Sequence, residues 1–266
     1  MWTTLTLIAA LGPLPGQNGS LELNNVRPTY GFLGAPRPDS KLLPGDAYYV
    51  AFDIDNVQMD PNGRVLYSMA MEVLDSKKKT QFKQDPRDLE ALNSLGGRHL
   101  PAFASVVIGV DQPPGEYTLK VTVTDRAAKV TKSFERKFDV QARDFGLVRV
   151  ALSGDPQNSV PASTIGVAGQ SLWLHFFGVG FARGGNKNEP DIGVEMVILD
   201  ESDRQTLPKP FAGDLKEWPK DQPAVPFDFP LALNRAGKFT IRLKATDRIA
   251  KKTAEMSFPI TVVEGK

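Results

Sequence analysis

Cysteine is absent from the 266 residues and histidine occurs only twice, as His99 and His175. Thiolate nucleophiles, disulfides, iron–sulfur clusters and Cys-ligated zinc are therefore excluded. No G-x-S-x-G, G-x-x-x-x-G-K, H-E-x-x-H or helix-opening G-x-G-x-x-G stretch is present. Pairs of carboxylates such as Glu195 and Asp200 occur among 31 acidic residues, where chance proximity is expected. His99 follows Gly96-Gly97-Arg98 and reads as a loop residue. No catalytic constellation and no cofactor are predicted, so the chain is expected not to be an enzyme.

Three other groups of residues have types and spacings that bear on function. In the run Leu172 to Phe177, alternation sends Trp173, His175 and Phe177 to the face opposite the core. An outward aromatic stripe fits a sugar-stacking platform, a partner interface, or burial under a neighbouring domain or loop. The stretch Asp53 to Gly63 gathers Asp53, Asp55 and Asp60 with Asn56 and Asn62, oxygen ligands of the kind Ca²⁺ takes. It lacks the Gly at position six and Glu at position twelve of an EF-hand loop. A polar strand end followed by a Pro-Asn-Gly turn accounts for the same residues. The third group is Thr-Asp-Arg, which occurs twice, with Asp125 and Arg126 in one place and Asp247 and Arg248 in the other. At a hairpin turn the Asp accepts backbone N–H groups while the Arg pairs locally; the functional alternative is a carboxylate–guanidinium pair facing a ligand.

That recurrence belongs to a longer one. Gly115 to Val140 aligns without gaps on Gly237 to Val262, and nine of the 26 positions are identical. Gly45 to Ile54 lies over Gly169 to Gly178, Met71 to Asp75 over Met196 to Asp200, and Asp88 to Leu92 over Asp214 to Trp218. The offset drifts only from 122 to 126, which makes this a duplication of a domain of about 120 residues rather than a solenoid period of about 20–50. The domains are expected at 21–142 and 143–266, with no Gly/Ser or Pro-rich linker between them.

Within each copy the apolar period is two. Tyr117, Leu119, Val121 and Val123 alternate with polar residues, as do Phe239, Ile241, Leu243 and Ala245. Equivalent alternation marks Tyr48 to Phe52 and Tyr67 to Val73, and the matching runs Leu172 to Phe176 and Ile192 to Ile198. Weaker strands are expected near 21–26, 103–110, 147–152 and 227–233. Six or seven strands per copy, spaced by turn residues, predict antiparallel β-sandwiches. One short helix per copy is also expected: Asp85 as N-cap, Pro86 as first residue and an end at Gly96-Gly97, with a counterpart near Asp214 to Trp218.

The pattern Pro-Gly-Glu-Tyr-Thr-Leu-Lys-Val-Thr-Val-Thr-Asp at 114–125, followed by a strand ending in Phe138-Asp139-Val140, resembles the last two strands of bacterial immunoglobulin-like and fibronectin-III-like modules. The match covers about a quarter of each copy. It implies an all-β chain of two tandem immunoglobulin-like antiparallel β-sandwich domains, each carrying the short helical insertion. It also implies a role in adhesion, spacing, carbohydrate binding or assembly.

The apolar run Leu5 to Leu11, closed by Gly12, Pro13, Pro15 and Gly16, is too short to span a bilayer. It reads as an export signal within a leader at 1–20, with an N-terminal strand as the alternative. The expected location is the periplasm or the extracellular space. With 32 basic and 31 acidic residues the net charge is +1, which removes the long-range attraction that nucleic acid or an anionic membrane needs. The expected partner is a protein or a glycan. Together these features predict a non-catalytic exported binding or structural module. The alternatives are a carbohydrate-binding protein using Trp173, His175 and Phe177, and a Ca²⁺-stabilised adhesion segment using Asp53, Asp55 and Asp60.

Overall fold

The computed structural model describes residues 20–186 and 188–265. The apolar run Leu5 to Leu11, read as an export signal, lies outside them. The first eight strands are β1 (Glu22–Thr29), β2 (Lys41–Leu42), β3 (Ala47–Asp55), β4 (Arg64–Asp75), β5 (Thr80–Leu92), β6 (His99–Val107), β7 (Gly115–Asp125) and β8 (Val130–Val140). The second eight are β9 (Gly146–Ser153), β10 (Ile165–Val167), β11 (Ser171–Val179), β12 (Ile192–Leu199), β13 (Phe211–Leu215), β14 (Ala224–Ala232), β15 (Gly237–Asp247) and β16 (Lys252–Val263).

They form four sheets. The orders β1-β3-β6 and β2-β8-β7-β4-β5 are repeated, strand for strand, as β9-β11-β14 and β10-β16-β15-β12-β13. Neighbours are antiparallel except for the short parallel pairs β2–β8 and β10–β16. In each repeat the three-stranded sheet faces the five-stranded one, and the alternating side chains of both fill the space between. The first core takes Tyr48, Val50, Phe52 and Ile54 from β3 and Leu119, Val121 and Val123 from β7. Its rings pair across the layer, Tyr48 with Phe138 and Phe52 with Phe134, both at 4.9 Å between centroids. The second core takes Leu172, Leu174 and Phe176 from β11 and Ile241, Leu243 and Ala245 from β15, and Phe176 stacks on Phe227 and Phe229 at 5.5 and 5.9 Å. Each fully buried Leu, Ile or Phe contributes about 1.5–3 kcal/mol.

No helix occurs among the described residues, so none there is long and apolar enough to cross a membrane. The two expected helical insertions are therefore corrected. The segment beginning at Asp85-Pro86 is part of β5, and the Asp214 segment begins in β13. The register of β5 on β4 shifts between Gln84↔Met71 and Arg87↔Met69, leaving Asp85 and Pro86 at a bulge on an edge strand. Proline is tolerated at such a place because its missing N–H is not needed there. Leu92 and Leu95, at the end of the expected helix, are exposed and have no core to pack against. Pairing with β4 supplies the backbone hydrogen bonds that a lone helix of this length does not hold in water.

The strands bordering the two three-stranded sheets share a further device. β1 shifts register on β3 between Asn24 and Arg27, and β9 shifts on β11 opposite His175 and Phe177. At the equivalent position of each bulge sits a non-glycine residue in the left-handed region, Asn25 and Arg149, both with φ of 52°. Asparagine adopts this conformation readily and arginine does not. What holds Arg149 there is tertiary.

Candidate functional site

Trp173, His175 and Phe177 lie side by side on the outer face of β11, and their surroundings differ. Trp173 and Phe177 are half-buried, whereas His175 is only 5% exposed. His175 is the centre of a three-strand relay: Nε2 lies 2.7 Å from Ser153 Oγ on β9, and Nδ1 lies 2.6 Å from Asp228 Oδ1 on β14. The order Ser–His–Asp and the nitrogens used are those of a hydrolase triad. However, Ser153 is fully buried and its hydroxyl donates to the Asp155 carbonyl, so no substrate reaches the oxygen. The relay ties three strands together. Phe177 lies beneath the Arg149 guanidinium, 5.7 Å from the ring centroid. Neither Ser153 nor Asp228 was anticipated; the one signal was a lone carboxylate, Asp228, inside the apolar run of β14.

The three aspartates weighed for calcium are not brought together. Asp53 and Asp55, two apart on β3, point to one face, where Asp53 accepts from Asn25 Nδ2 and Asp55 from Asn24 Nδ2, each at 3.0 Å. His99 opens β6 opposite Asp55, and its Nδ1 lies 2.7 Å from that carboxylate, with Nε2 at 3.8 Å from Asp53. The hydrogen bond to Asp55 raises the His99 pKa above its ordinary value, and the same bond, with that from Asn24, holds the Asp55 carboxyl below its own. Asp60 instead organises its turn, accepting from the backbone N–H of Asn62 and Arg64. Among the described residues no group of three His, Cys, Asp or Glu side chains is arranged to hold a metal ion.

The repeated Thr-Asp-Arg sits at the start of each final hairpin turn. Asp125 Oδ1 accepts from Ala127 and Ala128 N–H at 3.0 and 2.9 Å, and its Oδ2 from Gln58 N–H at 2.6 Å. Asp247 does the same with Ile249, Ala250 and Ala182 at 3.0, 3.0 and 2.6 Å. Both carboxylates are buried. Each thus closes its hairpin and fastens a loop from the facing sheet. Arg126 pairs with Asp88 of edge strand β5 at 3.0 Å, and Arg248 with Asp191 at 2.7 Å and with Asp214 of edge strand β13.

A fourth cluster, unforeseen in the sequence, joins the two repeats. Asp46, 2% exposed, accepts from Arg37 Nη2 at 2.8 Å through Oδ2, and from the N–H groups of Ala47 and Arg149 at 2.8 and 2.9 Å through Oδ1. Arg149 Nε–H also donates to the Gly45 carbonyl at 2.7 Å. Two bonds from Arg149 into the first repeat thus offset the cost of its left-handed backbone. Beside this clasp, the loop after β1 reaches into the second repeat: Tyr30 and Ala35 pack against its core, and the Tyr30 ring lies 6.4 Å from Phe258. Leu43 presses on β9 where Gly146 stands, and a Cβ at that position would collide with it.

No protein-family model matches the chain, and no curated protein is similar to it. Among solved structures, the C-terminal domain of the Streptococcus pyogenes antigen I/II-family protein AspA aligns with 7% identity and a TM-score of 0.30, over 91% of this chain and 100% of that one. Dimeric latent PorU of Porphyromonas gingivalis aligns with 11% identity and a TM-score of 0.40, over 95% of this chain and 21% of that one. Red sea bream transglutaminase aligns with 9% identity and a TM-score of 0.28, over 92% of this chain and 31% of that one. Likenesses this distant assign no role, and the functional reading rests on the geometry above.

Proposed function

We propose that this chain is a non-catalytic, exported binding or structural module. In this reading two immunoglobulin-like sandwiches, at about 21–142 and 143–266, act as one stiff unit that sets the distance and orientation of whatever they carry. The observation behind it is the buried Asp46 clasp, which fastens the first repeat to a backbone N–H of the second. A sheet of three strands facing one of five, with its first strand split between the two, suits the immunoglobulin-like assignment. The β11 aromatic face supports packing rather than sugar stacking, because its central residue His175 is buried and Phe177 lies under Arg149.

Two measurements test the reading. Backbone ¹⁵N relaxation is expected to give both repeats one common rotational tensor; independent tumbling in the wild type would sink the stiff-unit reading. A fluorophosphonate probe for activated serines is expected to leave the protein unlabelled, and labelling at Ser153 would overturn its non-catalytic part.

A further inference from the structure

We propose that the free edge of β6 is a self-association surface, on which a second copy of this chain pairs antiparallel, β6 on β6, about a two-fold axis at Ser105. The outer strands of a sheet present unpaired N–H and C=O groups, and proteins blunt them with charge, proline or bulges. Among the described residues the free edges are β1, β2, β5 and β6 in the first repeat and β9, β10, β13 and β14 in the second. Lys41 guards β2, Asp214 guards β13, and Arg149 with its bulge guards β9. β1 carries Glu22, Arg27 and a bulge, β5 carries Lys83, Arg87 and the Asp85–Pro86 bulge, and β10 is only three residues long. β6 is different, since from Leu100 to Val110 no charged residue occurs.

The equivalent edge in the second repeat shows what is missing. β14 carries Pro226, Asp228 and Pro230, and the registers place Pro226 opposite Phe177 and Pro230 opposite Trp173. In the first repeat the same positions are Pro101 and Ser105, opposite Asp53 and Tyr49. A proline within a paired strand turns its N side away from the neighbour. Positions 101, 103, 105 and 107 therefore direct their backbone groups off the open edge. Proline removes two such donors from β14, whereas β6 keeps those of Phe103, Ser105 and Val107.

A second copy is the occupant that fits, because pairing about a two-fold axis at Ser105 sets 100–110 of one copy against 110–100 of the other, and neither stretch holds a charge to oppose it. With the axis at Ser105, the two Ser105 residues exchange backbone bonds and Phe103 of each copy faces Val107 of the other. One isologous contact satisfies both edges at once. Beside the edge, Phe82 and Val107, 43% and 61% exposed, rim an apolar groove of about 440 Å³ floored by Met71 and Val73. The equivalent space in the second repeat is about 80 Å³, lined by Leu231 and Leu233 and by Arg235, which lies 4.8 Å over Phe239.

Sedimentation of the full chain over a concentration series tests this. The wild type is expected to dimerise reversibly. Ser105→Pro, which copies the guard of β14, weakens association by about tenfold or more, as loss of symmetric backbone bonds requires. Ser105→Ala keeps the backbone donor and the dimer. Ser105→Lys sets two like charges at the axis and also gives a monomer, which covers the case that the proline variant fails to fold. A wild type that is monomeric throughout would overturn the proposal, and is the result expected if the edge takes a strand of another protein or of its own chain. Undiminished dimerisation of both Ser105→Pro and Ser105→Lys would equally overturn it.

Discussion

The two repeats keep the same chemistry where a strand turns and change it where they meet each other. At the final hairpin Asp125 and Asp247 make the same three backbone hydrogen bonds. At the β1 and β9 bulges the equivalents part company: Asn25 bonds locally to Asp53, while Arg149 crosses to Gly45 and covers Phe177, the counterpart of Asp53. Asp46, buried and bonded to both repeats, has Gln170 as its counterpart, an exposed residue whose side chain accepts from Val167 N–H within its own repeat. Arg136 donates to the Val26 carbonyl within its own sandwich, and its counterpart Phe258 instead meets Tyr30 of the other. One scaffold occurs twice, and the divergent positions supply the contacts between the two copies.

Three pairs of substitutions probe this contrast, in order of expected effect. Asp46→Ala removes the partner of the largely buried Arg37 and of two backbone N–H groups, and is expected to cost about 3 kcal/mol or more in urea denaturation, against less than about 0.5 kcal/mol for Gln170→Ala. Asp125→Ala and Asp247→Ala are each expected to cost about 2 kcal/mol and to agree within about 0.5 kcal/mol; a clear inequality would break the equivalence of the hairpins. Arg149→Ala should cost about 1.5 kcal/mol and Asn25→Ala about 0.5 kcal/mol, since only the first loses a bond between repeats. Reversal of that order would show that the left-handed backbone, not the crossing side chain, governs the bulge.

The smallest effect concerns His99 and Asp55, whose counterparts in the second repeat are Ala224 and Val179. His99 titrates above its ordinary value of 6.5 because Asp55 accepts its hydrogen bond. Its contribution is therefore complete below that value and lost as pH rises through the higher folded one. Asp55 titrates below its ordinary 3.8, so its share is complete above that value and lost as pH falls through the lower folded one. The pair stabilises most between those two ordinary values. The stability difference between wild type and His99→Gln should appear near about pH 5.5 and vanish by about pH 9, and it should be small because His99 is half exposed. A difference that does not change with pH would show that the contact is steric.

Periodicity made the central strands legible: β7, β8, β15 and β16 fall where alternation put them, because their side chains face one core and one solvent side. β5 was misread for the opposite reason. It is exposed along most of its length, so no apolar alternation overrode the helix-start signal of Asp85-Pro86. The outward face of Trp173, His175 and Phe177 was legible, but the partners of His175 were not, since Ser153 and Asp228 lie 22 and 53 residues away. Asp46 was hidden likewise. It directly precedes a strand, an ordinary place for a polar residue, and its contact with Arg149 spans 103 residues.

The seating of Tyr30 and Ala35 against the second core gives the fold a direction in time. The chain emerges amino terminus first, from a ribosome or from an export channel, so these two side chains are present before the core that receives them. The second repeat then condenses onto a neighbour already in place. Its hydrophobic interior is completed by a plug synthesised more than a hundred residues earlier, as the separation of Tyr30 from Phe145 shows. An excised second repeat would begin life with that place unfilled, so the halves are unequal as folding units even where their strands superimpose.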